Sequence, residues 1–302
     1  MTDSGAKLRD YALLCALATL WGSSYLFQRV AVPEIPPVTL VAGRVAGGAG
    51  LLICVMWVSG VRFPRGRSVW AALAVQSVLN ASGAWVILAW GMRHVESALA
   101  TVLNSTSPLW VFMFTALLTG GQSARAVHLL GSIAGLCGVA LIVGPTALSG
   151  LGQEFAGQIA CVIGAMIYAL AALWGRRFAG MAPLAIAAGT MSCAALTLIP
   201  LSLIIDAPWT LRPSGIALSA WATLSFLCTG VALLIYFHLL GRIGPLGVSS
   251  QAYLRQGVGV ALGVLILGER PDMTVFFGVV LAVLGVILVN RGERTPRGKP
   301  AA

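Results

Sequence analysis

Long apolar runs separated by short polar connections occupy nearly the whole chain. Ten such runs lie near residues 11–30, 36–58, 68–91, 97–119, 127–145, 155–175, 182–205, 214–238, 245–267 and 274–290. At ~1.5 Å per residue, a helix of that length crosses a hydrocarbon core about 30 Å thick. The runs are continuously apolar, whereas the strands of a membrane barrel alternate in short segments. Short connections leave neighbouring helices antiparallel. The pattern predicts an all-α membrane protein with ten transmembrane helices. The first run is too long for a cleaved leader and is followed by further spans, so it is expected to be retained. The polar tail from Arg291 to Ala302 is expected to lack fixed structure.

The second half of the chain repeats the first. Arg29 aligns with Arg176, which sets Trp21-Gly22 opposite Tyr168-Ala169. Pro37 and Gly43 align with Pro183 and Gly189, Pro108 falls opposite Gln256, and Gly131 and Gly138 recur as Gly278 and Gly285. Each unit, residues 11–145 and 155–290, holds five spans. An odd number of crossings turns the second unit upside down, giving two inverted five-helix repeats. Folds of this kind hold their site near the membrane midplane, where the repeats meet.

Composition sharpens the picture. The chain is 58% hydrophobic and 9% charged, with a mean hydropathy of +0.92, against roughly 25% charged residues in a soluble domain. A net charge of +10 raises nucleic acid as a partner, but the cations sit in alternate loops. Lys7, Arg9, Arg62, Arg65, Arg67, Arg125, Arg176, Arg177, Arg242 and the tail cations share one side; Arg29, Arg93, Arg212 and Arg270 fall on the other. That asymmetry is the positive-inside pattern, so the expected partner is a lipid bilayer, not nucleic acid, and both termini are expected in the cytoplasm.

Several chemistries find no support. The six cysteines all lie inside apolar runs and form no CxxC, so they read as small packing residues. No P-loop, HExxH or GxSxG is present, so no cofactor, metal or enzymatic activity is expected. Glu34, Glu96, Glu154, Asp206, Glu269 and Asp272 fall at outer loops or span edges. Proton-coupled cation exporters use a carboxylate within the membrane. Its absence here favours an anionic or zwitterionic cargo, or a facilitator without strict proton coupling.

The polar groups left within the spans are the candidate site. Arg255, in the stretch Gly244–Arg270, is predicted about 15 Å from the start of that stretch and near the bilayer centre, where a cation costs at least ~2.5 kcal/mol. It must face protein or water; Gln251, four residues earlier, shares its helix face. The functional reading is a cation that meets a cargo carboxylate or phosphate, and the structural reading is a guanidinium satisfied by carbonyls and amides. Trp21, Ser24 and Tyr25 in span one, and Tyr168 at corresponding depth in span six, read as a cavity wall or as core. Asn80, Trp85, Asn104 and Tyr236 fit interhelical hydrogen bonding as well as cargo contact, and Asn104 with Pro108 marks an expected kink. Arg44, flanked by Gly43 and Gly47, reads as structural, snorkelling outward or paired with Glu34 or Glu96. His238 reads as an ordinary residue near a span end. The small-residue stripes of spans five and ten are expected to pack against each other within the chain, with a homodimer seam as the rival use.

Trp21-Gly22-Ser23-Ser24, Arg44, Ser105-Thr106-Ser107-Pro108 and Tyr253-Leu254-Arg255 leading to Leu267-Gly268-Glu269 together resemble the EamA repeats of the drug/metabolite transporter superfamily. The resemblance spans residues 11–290. It implies a ten-helix carrier, commonly an inner-membrane exporter of amino acids or other small metabolites. Two features depart from the pattern: Gly120-Gly121 stands where the second repeat has Gly268-Glu269, and Gln256 stands where a proline is usual, which puts a kink in span nine in doubt. The reading is a secondary transporter of a small-molecule substrate, working by alternating access around a cavity lined by spans one, three, four, six, eight and nine. A lipid-linked flippase, a non-transporting scaffold and an intramembrane enzyme are the alternatives.

Overall fold

Ten helical rods follow one another in a computed structural model that describes residues 3–118, 126–148, 152–249, 251–269 and 273–291. They are α1 (Asp3–Ala31), α2 (Pro37–Val58), α3 (Arg67–Gly91), α4 (Ser97–Leu118), α5 (Ala126–Leu148), α6 (Gln153–Phe178), α7 (Pro183–Ile205), α8, α9 (Gln251–Leu267) and α10 (Met273–Arg291). α8 runs as Gly215–Ser225, a π-helical stretch Phe226–Val231 and Ala232–Ser249. Six of these helices, α2, α3, α4, α6, α7 and α8, are long and apolar enough by themselves to cross a membrane. α5, α9 and α10 carry shorter apolar cores. α1 is diluted by the polar run Trp21–Gln28, which the fold turns inward rather than toward lipid. The Gly120-Gly121 pair, Arg270, Asp272 and the tail beyond Arg291 lie outside the described residues.

The sequence accounts for most of the helix boundaries. α2 and α7 both open on a proline, Pro37 and Pro183, in the first turn, where its missing N–H is no loss. α4 breaks after Asn104 and resumes at Ser107, at the expected kink; the amide and hydroxyl of Ser105 both return to Thr101 O. α9 runs without a break, as the absence of a proline at position 256 allows.

One boundary differs from expectation. The residues from Gly244 to Ser249 do not begin the ninth helix; they finish α8. A proline inside a membrane helix removes one hydrogen bond but keeps a helical φ, and α8 continues through Pro245. α9 therefore starts at Gln251, and Arg255 sits one turn into it rather than near its centre.

The packing maps onto itself when α1–α5 are exchanged for α6–α10. α2 packs on α7 and α5 on α10; the α1–α9 pair matches α6–α4, and α1–α8 matches α6–α3. Even the π-helical stretches coincide, Val78–Ser82 in α3 and Phe226–Val231 in α8. The largest apolar cluster joins α2 to α7 and α8 through Leu40, Val45, Leu52, Met191, Leu198 and Leu224. Side chains such as Leu196, Ile204 and Leu265 are left exposed on the outside, as a lipid-facing surface requires.

Glycines set the closest approaches. A Cβ on Gly22 would stand 2.8 Å from Arg255 O and from Val258 Cβ, so α1 touches α9 through bare backbone. Gly43 is filled by the Trp221 ring and Gly47 lies against Ser225, so this pair brings α2 onto α8. On α10, a Cβ at Gly285 would strike the Gly135 backbone and Gly131 O. The small-residue faces of α5 and α10 are thus consumed against each other, and a seam between copies would have to use their outward faces.

Candidate functional site

Between the repeats lies a cavity of about 490 Å³, the size of a small-molecule site. All ten residues singled out from the sequence line it: Trp21, Ser24 and Tyr25 from α1, Asn80 and Trp85 from α3, Asn104 from α4, Tyr168 from α6, Tyr236 from α8, and Gln251 and Arg255 from α9. α2 and α7 line it as well, through Arg44, Ile186, Ala187, Thr190 and Met191. The wall is therefore built from eight helices, not the six expected.

Helical spacing explains how α1 serves the site. Residues 21, 24, 25 and 28 recur at intervals of three and four, so Trp21, Ser24, Tyr25 and Gln28 share one face. Gln28 was not singled out from the sequence, although that spacing pointed to it; Gln76, four residues before Asn80, was missed in the same way. Ser24 spends its hydroxyl on its own helix, donating to Trp21 O at 2.7 Å. Tyr25 hydroxyl accepts from Asn104 Nδ2 at 2.7 Å and ties α1 to the break in α4. Trp21 packs against Tyr236 with ring centroids 5.4 Å apart.

Arg44 is the main correction. It neither snorkels nor pairs with Glu34 or Glu96. Its guanidinium carbon lies 3.9 Å from the Trp85 ring centroid, Nε donates to Thr229 Oγ1 at 2.9 Å, and Nη1 donates to Gln28 Oε1 at 3.3 Å. The residue is 6% exposed and lines the cavity. Glu34 lies out of reach beyond the end of α1, where it accepts from the Ser214 amide and hydroxyl.

Arg255 is only half-buried, and its guanidinium carbon stands 6.0 Å from the Trp21 ring. Among the described residues its Nε has no hydrogen-bond partner, nor do Gln251 Oε1, Asn104 Oδ1 and Gln76 Oε1. Buried polar atoms are normally paired. With Thr190 Oγ1, five such atoms lie around one hollow and leave room for water or a solute to complete them.

Exposure is graded along the cavity. Gln76, Gly175, Ile186, Tyr236 and Phe237, toward the end of the bundle where α1 begins, are half-buried. Gln28, Arg44, Trp85 and Leu88, toward the opposite end, are buried. That opposite end is closed by three carboxylates, each reaching from one repeat to a helix start in the other. Glu34, after α1, takes Ser214 at the head of α8. Asp206, after α7, accepts from Thr39 N at 2.9 Å and Thr39 Oγ1 at 2.8 Å in α2. Glu269, after α9, accepts from Ser97 N, Ser97 Oγ and Ala98 N at 2.7–2.8 Å at the start of α4. Carboxylates at helix N-termini meet both orphan N–H groups and the positive end of the dipole. At the end where α1 begins, an Arg242–Asp10 ion pair at 2.8 Å joins the repeats.

The family model for the EamA-like transporters matches residues 9–144 and 155–291, one copy for each half. The chain belongs to the EamA-like transporter family. It is an all-α membrane protein of ten transmembrane helices in two inverted five-helix repeats, one family match to each repeat. It is 27% identical to YedA of Escherichia coli, named an uncharacterized inner membrane transporter, over 96% of this chain and 93% of that one. It is 24% identical to a probable terminal-alkyne amino-acid exporter of Streptantibioticus cattleyicolor, over 96% of this chain and 97% of the other. A crystal structure with 20% sequence identity superposes with a TM-score of 0.62, covering 97% of this chain, and shares the fold. In this EamA-like chain the three buried cysteines are Cys161, Cys193 and Cys228, and Cys228 touches the cavity; Cys15, Cys54 and Cys137 lie exposed instead of packed. His238 is exposed.

Proposed function

We propose that this chain is a secondary carrier that exports small polar metabolites, amino acids or related compounds foremost, by alternating access across an inner membrane. The observation that carries the reading is the cavity itself. It lies between the two repeats, takes its wall from both, and holds polar atoms that nothing among the described residues satisfies. A non-transporting scaffold would be filled at its centre.

The bias of cations toward the loops that share a side with the termini supports a cytoplasmic face there. The half-exposed end of the cavity then faces the cytoplasm, and the three carboxylate caps close the outer end. Rocking the repeats would break those caps and open the other side. The name of the Streptantibioticus relative supports amino acids as cargo and export as direction.

Flux of a metabolite panel into proteoliposomes, with and without a pH gradient, tests the proposal. Saturable movement of at least one polar metabolite is the expected result. Permeability no higher than in empty liposomes for every compound would overturn it.

A further inference from the structure

Among the described residues, the cavity is lined by two guanidinium groups and no acid. Arg44 and Arg255 both line it, and no Asp or Glu is among its described lining residues. A cation taken out of water costs several kcal/mol unless an opposite charge meets it. The hydrogen-bond partners of Arg44 are a hydroxyl and an amide, and the third contact is an indole face. These hold the group in place but do not neutralise it. Arg255 is less finished still, with Nε unpartnered and the Trp21 ring 6.0 Å away.

The two cations belong to different repeats and enter at different depths. Arg44 lies two turns from the start of α2, at the closed end; Arg255 lies one turn from the start of α9, at the half-exposed end. Tyr168 lines the same cavity as both. Both line one cavity of about 490 Å³, so a single small solute is the natural counter-charge for the pair.

Resting on the carrier reading above, we infer that the cargo is a small dianion with two acidic groups, one held by Arg44 and the other by Arg255. Dicarboxylates and acidic amino acids satisfy this, as do phosphate monoesters; neutral zwitterions and amines do not. Arg44 fixes the deep acid because its guanidinium is already oriented by Trp85, Thr229 and Gln28. Arg255, free on one edge, takes the other acid last and lets it go first. Neutral amino acids offer one carboxylate to two cations and leave one of them bare.

The test is competition and flux in proteoliposomes of the full chain, with succinate, L-aspartate, glycerol phosphate, L-leucine and putrescine as probes. The expected result is that succinate, L-aspartate or glycerol phosphate binds at least about tenfold more tightly than L-leucine, because the leucine complex leaves a buried charge unpaired. Which of the three leads tells carboxylate from phosphate. Arg44→Gln and Arg255→Gln should each lower dianion affinity by about tenfold or more and shrink the dianion-to-leucine ratio, whereas merely structural damage would lower both alike. Should Arg44→Gln fail to fold, the ratio in the unaltered protein still decides. Equal affinity for L-leucine and succinate would overturn the inference while leaving the carrier reading intact. Failure of all five probes to bind, with other metabolites transported, would do the same. Absence of transport for any metabolite would overturn both.

Discussion

The Glu269 carboxylate accepts both the amide of Ser97, at 2.7 Å, and its hydroxyl, at 2.8 Å, across the junction between the repeats. Gly268, with φ of 69°, turns the chain so that Glu269 folds back beside α9. Gly263 supplies the space, since a Cβ there would strike the carboxylate. Glu269 is 7% exposed and also takes Ala98 N at 2.8 Å, so it satisfies three donors at once. Replacing it by Ala leaves buried donors unmade, at a cost of about 1–3 kcal/mol. Glu269→Ala should therefore lower the thermal midpoint. It should also raise labelling of a cysteine placed at Met92, fully buried near the closed end, by a reagent added on that side. Unchanged labelling would mean the cap does not help to hold that end shut.

Gly22 and Gly257 make a matched pair of controls for the α1–α9 contact. A Cβ at Gly22 meets Arg255 O and Val258 at 2.8 Å, whereas one at Gly257 meets nothing within 4 Å. Forcing extra atoms into a packed contact costs about 1–3 kcal/mol. Alanine in place of an exposed helical glycine gains up to about 1 kcal/mol. Gly22→Ala should lower stability and impair transport by shifting Arg255, while Gly257→Ala should leave stability unchanged or raised. Thermal unfolding of the two variants side by side is the measurement; similar midpoints would refute the close contact.

Much of this architecture is legible in the sequence because lipid imposes one strong rule, an apolar run for each crossing, and the duplication supplies the symmetry. The cavity face of α1 could be read from the spacing of Trp21, Ser24 and Tyr25, and the same spacing reaches Gln28. What misled was local or long-range. Gly244-Pro245 looks like a helix start, yet α8 absorbs it, so Arg255 lies one turn into α9 instead of near the expected centre. The sequence shows that Arg44 is an intramembrane cation but not which way it faces. Its partner Thr229 lies 185 residues away, and Glu269 and Ser97 are 172 apart. No pattern along the chain announces contacts made only when one repeat folds against the other.

The α5–α10 contact offers a prediction about assembly. Gly285 meets the backbone of Gly131 and Gly135 within the chain, so a larger side chain must push the two helices apart. Gly285→Leu should lower the thermal midpoint by the same amount at any protein concentration. A loss that grows on dilution would instead place that glycine at a seam between copies, because only association is governed by mass action.

Glu34 gives the closed end a dependence on acid. The Ser214 amide and, after it, the Ser214 hydroxyl hold its carboxyl below the ordinary value. A carboxyl depressed by folding contributes stability above its unfolded pKa, and that contribution is lost as pH falls through the lower, folded value. Ser214 is also the N-cap of α8, accepting from Ala217 N at 3.2 Å, so protonating Glu34 loosens a helix start as well as an inter-repeat link. The group is exposed, so the effect is small and screened by salt. Glu34→Gln should flatten the acid limb of the stability-versus-pH curve slightly and leave the neutral-pH cavity chemistry unchanged. Thermal midpoints across the acid range at low and high salt are the measurement. An acid limb identical to that of the unaltered protein at low salt would show that Ser214 does not hold the carboxylate in solution.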